Sequence, residues 1–181
     1  MAYPKTINTN QLIIRYKGLF DHDGLYNMIV RWMKTRRYWF HEEVYKHKVP
    51  SPHGAEQEFT FTGEKKISDY IMYSMRIAFH LWDMNEVEVI KDNAKRTLTN
   101  ARMEIIMVST VNVDYEKRME KSKIWAAISD VYYKYFLKED IESIHHDTIY
   151  YRMFKLHNAI KEFLDMGAKG NEYEGYMGDN A

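Results

Sequence analysis

Two long runs of alternating residues, Tyr70 to Trp82 and Ala101 to Val113, constrain the fold of this chain more than any other feature. In both runs the odd-numbered side chains are almost all apolar, whereas the even-numbered ones mix apolar, polar and charged groups. A period of two indicates β-strands, because successive side chains of a strand point to opposite faces of its sheet. The runs therefore predict an antiparallel sheet whose odd-numbered face is covered by helices.

Shorter patterns before and between these runs predict further elements. Residues 1–10 are polar and are expected to be loose, and Gln11 to Lys17 predicts a strand that ends at Gly18. Asp21 suits a helix cap, and apolar residues at spacings of three and four continue that helix to about Arg36. Three more strands are expected, with turns at Gly63, at Asp83-Met84-Asn85 and at Asp92-Asn93: Tyr38 to Val49, Glu58 to Thr62, and Glu86 to Ile90.

From about Ser122 the apolar period becomes helical. Near the end of this region a stripe close to a heptad pattern is formed by Ile149, Met153, Leu156, Ile160 and Phe163. One bent helix and a pair of helices broken near residues 137–139 both fit residues 122–166. We predict a single α+β domain over residues 1–166, followed by a flexible, glycine-rich tail at residues 167–181.

The complete order is strand, helix, four or five antiparallel strands and a long C-terminal helix. It predicts an α+β fold in which an antiparallel sheet of about five to six strands carries, on one face, an N-terminal crossover helix and a long C-terminal helix or helix pair. This order resembles the helix-grip arrangement of START and Bet v 1-like proteins, where a curved sheet wraps a long C-terminal helix. The resemblance is one of element order and not of sequence motif, so it implies a fold and no function.

Composition excludes several classes of function. The 26 Lys and Arg residues balance 26 Asp and Glu residues, so no overall positive field attracts nucleic acid or an anionic membrane. The absence of cysteine excludes disulfides, thiolate metal sites and cysteine nucleophiles. No signal peptide or membrane-spanning apolar run is present in the sequence, so we expect a cytoplasmic protein.

Histidine and acidic residues form two weak candidate metal sites. His41 and His47 alternate with Glu43 and Tyr45, so one strand face would present all four side chains. Neighbours two apart on a strand lie about 7 Å apart, so a metal would need a further ligand from another strand. A solvated outer face explains the same pattern, and helix capping explains the aspartates of Asp21-His22-Asp23.

The remaining polar motifs predict no catalytic residue and no cofactor. There is no glycine-rich phosphate loop, G-x-S-x-G, H-E-x-x-H or calcium-binding loop. His145 and His146 would point about 100° apart on a helix and cannot chelate one ion, and His145 is expected beside the core stripe. A phosphate or anionic-lipid patch would require the fold to bring Lys65 and Lys66 next to Lys95 and Arg96.

The even-numbered face of the long runs favours a non-enzymatic binding or scaffold protein that acts through self-association or a protein partner. This face is too apolar to be simply solvated, and a large exposed apolar patch is unfavourable on a monomer. We expect the interface to include Tyr70, Met72, Trp82, Ile106 and Val108.

The alternative function is the binding of a small apolar ligand or lipid. Methionine side chains adapt their shape, which suits both irregular cores and ligand pockets. A cavity between the sheet and the C-terminal helix would be lined by Tyr73, Met75, Phe79, Met103 and Met107.

Overall fold

The structure, a computed structural model, describes residues 6–51, 54–91, 94–116 and 140–166. Within these ranges, six strands form one antiparallel sheet, and two α-helices accompany it. This arrangement confirms the α+β prediction. The elements are β1 (Thr6–Asn8), β2 (Leu12–Phe20), α1 (His22–Thr35), β3 (Trp39–Ser51), β4 (Gly54–Lys66), β5 (Ile71–Lys91), β6 (Ala94–Val113), a π-helical turn (Asp140–His145) and α2 (His146–Phe163).

The sheet is built around the pair formed by β5 and β6. Its strand order is β1-β6-β5-β4-β3, and β2 pairs with β6 on the same side as β1. β3 to β6 follow one another as antiparallel neighbours, whereas the chain reaches β3 from β2 at the opposite side of the sheet. α1 lies in that connection, which confirms the predicted crossover helix.

The inner face of the sheet carries the odd-numbered residues of β6 and, as far as Trp82, those of β5. Ile77 of β5 and Ile105 of β6 are at most 1% exposed, and they belong to one core cluster with residues of both helices. Alternation of side chains across the sheet puts the apolar half of each strand into this core. The two runs therefore have the sidedness that their sequence predicts.

Both helices bury the stripes expected from their spacing. The Asp21 carboxylate accepts a hydrogen bond from the Gly24 backbone amide at 2.8 Å, which confirms its role as the cap of α1. The buried residues of α1 are Leu25, Ile29 and Met33, and those of α2 are Ile149, Met153, Leu156 and Ile160. Phe163, predicted to continue the α2 stripe, is instead 38% exposed at the end of that helix.

The expectation of a loose N-terminal segment is wrong for its second half. Residues 6–8 form β1, which pairs with β6 from Thr6↔Asn112 to Asn8↔Thr110. Thr9 then anchors the chain, because its hydroxyl lies 2.9 Å from the hydroxyl of the fully buried Ser109. A buried hydroxyl needs such a partner, and sequence alone does not show which distant residue supplies it.

Two strands continue through glycines that were expected to end them. β2 passes Gly18 and ends at Phe20, and β4 passes Gly63 and ends at Lys66. Gly18 has φ of 152°, a conformation that glycine tolerates best. At Gly63 an added Cβ would lie 3.0 Å from the sulfur of Met33, so this glycine permits close packing of α1 on the strand.

The predicted turn at Asp83-Met84-Asn85 is also wrong, because β5 is one strand from Ile71 to Lys91. The register with β6 shifts by one residue between Trp82 and Asn85, which identifies a β-bulge. Asp83 has φ of 56°, a left-handed conformation that aspartate tolerates better than most residues. The preference of aspartate for this conformation suggests a turn in the sequence, but here it forms a bulge that twists a continuous strand.

Several predictions lie outside the described residues. These are the helical region from Ser122 to residue 139, the turn at Asp92-Asn93 and the tail at residues 167–181. Within the described ranges, no helix combines the length and the apolar character that crossing a bilayer requires.

The core prediction can be tested with two isoleucine truncations. Ile105 is fully buried in β6, so Ile105→Ala is expected to lower the free energy of unfolding by about 2–5 kcal/mol. Ile144 is 54% exposed, and Ile144→Ala should change it by less than about 0.5 kcal/mol. Denaturant unfolding measures both values, and equal losses would contradict the assignment of the inner face.

The cap of α1 gives a second test. Asp21→Ala removes the acceptor for the Gly24 amide and should lower the free energy of unfolding by about 1 kcal/mol. The control is Asp23→Ala, which removes a carboxylate from the first turn but leaves the capping bond in place. Thermal or denaturant unfolding should show the smaller loss for Asp23→Ala, and the reverse order would contradict the capping role.

Candidate functional site

The face of the sheet opposite the core, the outer face, carries the even-numbered residues of β6 and, as far as Trp82, those of β5; beyond the bulge after Trp82 it carries the odd-numbered residues of β5. The structure places four of the five predicted interface residues there, all half-buried: Met72, Trp82, Ile106 and Val108. Tyr70 instead lies in a bend before β5 and is 43% exposed. The Ser68 hydroxyl accepts the backbone amide of Ile71 in this bend at 3.1 Å, so the strand starts one residue after Tyr70.

Apolar side chains on the outer face lie between rows of ion pairs. The Arg15 Nε donates to Glu104 Oε1 at 2.6 Å, and the Arg102 Nε donates to Asp83 Oδ2 at 2.8 Å. One cross-strand row without charge is formed by Ile13, Ile106 and Ala78. Among the described side chains, the apolar part of this face is therefore a narrow row within a charged surface, and not a broad patch.

A cluster of Glu56, Glu58 and His80 lies beside these pairs on β4 and β5. The His80 Nε2 is 2.6 Å from Glu56 Oε1 and 3.4 Å from Glu58 Oε1. Glu58 is opposite His80 in the strand register, and the Trp82 ring stacks on the imidazole with centroids 3.8 Å apart. The two carboxylates and the imidazole thus converge on one point of the outer face.

This cluster has the donor set of a divalent-cation site. One ligand atom from each of the three side chains lies within 4.8 Å of the other two, and Zn²⁺ binds such atoms at about 2.0–2.2 Å. The hydrogen bond between His80 and Glu56 also gives the imidazole Nε2 a partner without an ion. Sequence reasoning missed the cluster because the pairing of Glu58 with His80 depends on strand register, which alternation does not specify.

The hypothesis of a metal site at His41 and His47 loses its premise. A β-bulge between Glu42 and Val44 interrupts the alternation on which that hypothesis was based. His41 pairs with Thr62, is exposed, and stacks on Trp39 with ring centroids 6.0 Å apart. The side chain of His47 lies outside the described part of the structure.

The predicted cavity residues lie together in the core under the helices. Tyr73, Met75, Phe79, Met103 and Met107 are each at most 3% exposed. The Phe79 ring stacks on Phe59 with centroids 4.4 Å apart, so this part of the inner face is closely packed. Tyr73 is the polar member, and its hydroxyl lies 2.8 Å from the Nδ1 of His145, which sits beside the core as expected.

The far end of the β5–β6 pair extends past the rest of the sheet. Among the described residues, β4 pairs with β5 only as far as Met84, and β2 pairs with β6 only as far as Phe20↔Thr99. Residues 86–91 and 94–98, which we call the hairpin arm, therefore form a two-stranded ribbon. Ile90 in this arm is 75% exposed.

The proposed basic patch of Lys65, Lys66, Lys95 and Arg96 does not form. Lys66 pairs with Met72 near the start of β5, whereas Arg96 pairs with Val89 near its end. Residues 72 and 89 are separated by most of the strand, which at about 3.3 Å per residue exceeds 50 Å. The two pairs of basic residues lie far apart because β5 is one long strand, where the sequence predicts two.

Comparison of the sequence with protein-family models found no match, and comparison with curated proteins found no significant similarity. Evidence for function therefore comes from the arrangement of side chains on the two faces and on the hairpin arm.

The pair of Glu56 and His80 can be tested by a double-mutant cycle with Glu56→Gln and His80→Gln. Each side chain is about one-third exposed, so we expect a coupling energy of less than about 1 kcal/mol. Denaturant unfolding of the four proteins gives this value. A larger coupling, or one that increases when Zn²⁺ is added, would show that the cluster is more than a surface ion pair.

Proposed function

We propose that the protein is a non-enzymatic, cytoplasmic scaffold that acts by self-association through its outer face and hairpin arm. The observation that carries this proposal is the arm itself, which projects beyond its neighbouring strands with Ile90 exposed at its side. An isolated two-stranded ribbon is marginally stable in water, so packing against another surface would stabilise it.

The apolar side chains of the arm are arranged for such packing. Val87 pairs with Leu98, and these two side chains and Val89 are half-buried. They continue the outer face next to Leu19, which is 45% exposed. Residues 86–91 span about 17 Å, enough to cross about three strands of a neighbouring sheet at 4.8 Å spacing.

A second copy of the chain suits this surface as the occupant. The chain has equal numbers of basic and acidic residues, so two copies meet without net repulsion. The outer face carries both signs of charge side by side, as in the pair of Arg15 and Glu104. A mixture of apolar and charged groups is typical of interfaces between proteins that also exist apart.

Ligand binding in the core remains the alternative function. The five residues Tyr73, Met75, Phe79, Met103 and Met107 are contiguous beneath the helices, and three of them are adaptable methionines. An apolar ligand would have to separate side chains that now pack closely. Self-association through the projecting arm needs no such rearrangement, and we therefore favour it over ligand binding.

Self-association is tested by sedimentation velocity over a range from low to high micromolar concentration. The unmodified chain is expected to shift to a larger species, and Val89→Glu to weaken that association at least about tenfold, because an unpaired charge is unfavourable in an interface. Ile144→Glu is the matched control, since Ile144 is exposed in the π-helical turn and away from the arm. A chain that stays monomeric throughout would overturn the proposal.

A further inference from the structure

A row of polar side chains crosses the inner face near the start of β5. Lys65 of β4 is directly opposite Tyr73 of β5, and Tyr38 precedes β3, whose first residue pairs with Glu64. The ammonium of Lys65 lies 5.9 Å from the ring centroid of Tyr38. Tyr38, Lys65 and Tyr73 thus follow one another across three neighbouring chain segments.

Arg152 of α2 covers this row from the helix side. Its guanidinium carbon lies 5.7 Å from the ring centroid of Tyr73. The Tyr73 hydroxyl already contacts the Nδ1 of His145, and burial raises the pKa of Tyr73 to about 12. The Tyr73 hydroxyl therefore stays uncharged near neutral pH. Its side chain bounds the cluster, in contact with the sheet on one side and the C-terminal helix on the other.

Two buried polar atoms in the cluster lack hydrogen-bond partners among the described residues. Tyr38 is only 3% exposed, and its hydroxyl makes no hydrogen bond of standard geometry with a described group. Burial raises the pKa of Tyr38, and the neighbouring Arg152 guanidinium partly opposes this shift. The Nη1 of Arg152 is likewise buried without a partner in the described ranges. A buried donor without an acceptor is destabilising, and neither the Tyr38 hydroxyl proton nor the Nη1 of Arg152 has a well-placed acceptor among the described residues.

The cluster also carries positive charge that is not neutralised within the described part of the chain. Lys65, Arg152 and Arg37 form no ion pair with any carboxylate in residues 6–51, 54–91, 94–116 and 140–166. Burial lowers the pKa of Lys65, and the nearby Arg152 and Arg37 lower it further. The cations of the outer face differ, since Arg15, Arg76 and Arg102 each contact a carboxylate.

We propose that Lys65, Arg152 and the Tyr38 hydroxyl bind an oxyanion group of a small molecule, a phosphate or a carboxylate, between the sheet and α2. A guanidinium and a phenol direct hydrogen bonds at oxygen, and an ammonium adds a compact positive charge. An oxyanion would accept the two unpartnered donors and neutralise the cationic cluster at once. The site faces the helices and not the outer face, so it does not depend on self-association.

Inorganic phosphate and acetate are suitable probes for the two possible oxyanions. Each is titrated into the full chain at constant ionic strength maintained with sodium chloride, and the melting temperature and the heat of binding are recorded. A ligand that binds the folded state raises the melting temperature in a saturable way. We expect saturation with at least one probe, and the stronger probe identifies phosphate or carboxylate as the preferred group.

Single substitutions locate the site. Lys65→Met and Tyr38→Phe should each weaken binding of that probe about tenfold or more, because each removes a donor to a charged group. Lys66→Met and Tyr70→Phe are matched controls, since Lys66 pairs with Glu116 at 3.6 Å and Tyr70 is exposed. The controls should bind the probe as the unmodified chain does.

Tyr38→Phe also separates loss of binding from loss of folding. It removes a buried hydroxyl that makes no hydrogen bond of standard geometry with a described residue, so the melting temperature in chloride alone should stay the same or rise. The proposal is overturned if phosphate and acetate act no differently from chloride. It is equally overturned if Lys66→Met weakens binding as much as Lys65→Met does.

Discussion

The pairing of β5 with β6 supports every other part of this structure. The two strands remain in register from Ile71↔Val113 to Lys91↔Ala94, with one bulge after Trp82. β4 pairs with the edge of β5 that faces away from β6, and β1 and β2 pair with the edge of β6 that faces away from β5. Because the pair is longer than its neighbours, it supplies both the centre of the sheet and the hairpin arm that extends past it.

The described cations on the two sides of this sheet differ in whether they form ion pairs. On the outer face, the cations described at Arg15, Arg76 and Arg102 each have a carboxylate nearby, and the resulting pairs are exposed enough to contribute little individually. On the inner face, Lys65 and Arg152 lie beside two buried tyrosines without an ion pair among the described residues. Both cations are partly buried, and a partly buried charge without an ion pair is less favourable than a paired charge at the surface, so the inner cluster is the more informative of the two.

Local sequence patterns predicted much of the fold and little of the candidate sites. Alternation identified the inner face of β5 and β6, and spacing identified the buried stripes of both helices. Local patterns gave a wrong prediction where one residue type suits two structures, as at Asp83, which forms a bulge instead of a turn. They also failed for contacts between distant residues, such as Thr9 with Ser109 or His80 with Glu56.

The sequence by itself determined which side chains are apolar, at what period they recur, and that basic and acidic residues balance. These properties specify strands, helices and a buried face, because hydrophobic burial acts on the pattern within each segment. Only the tertiary structure decided that Lys65 lies opposite Tyr73 and beneath Arg152, and that the hairpin arm has no third strand among the described residues. Strand register and helix docking depend on the packing of the whole domain, which no local pattern contains.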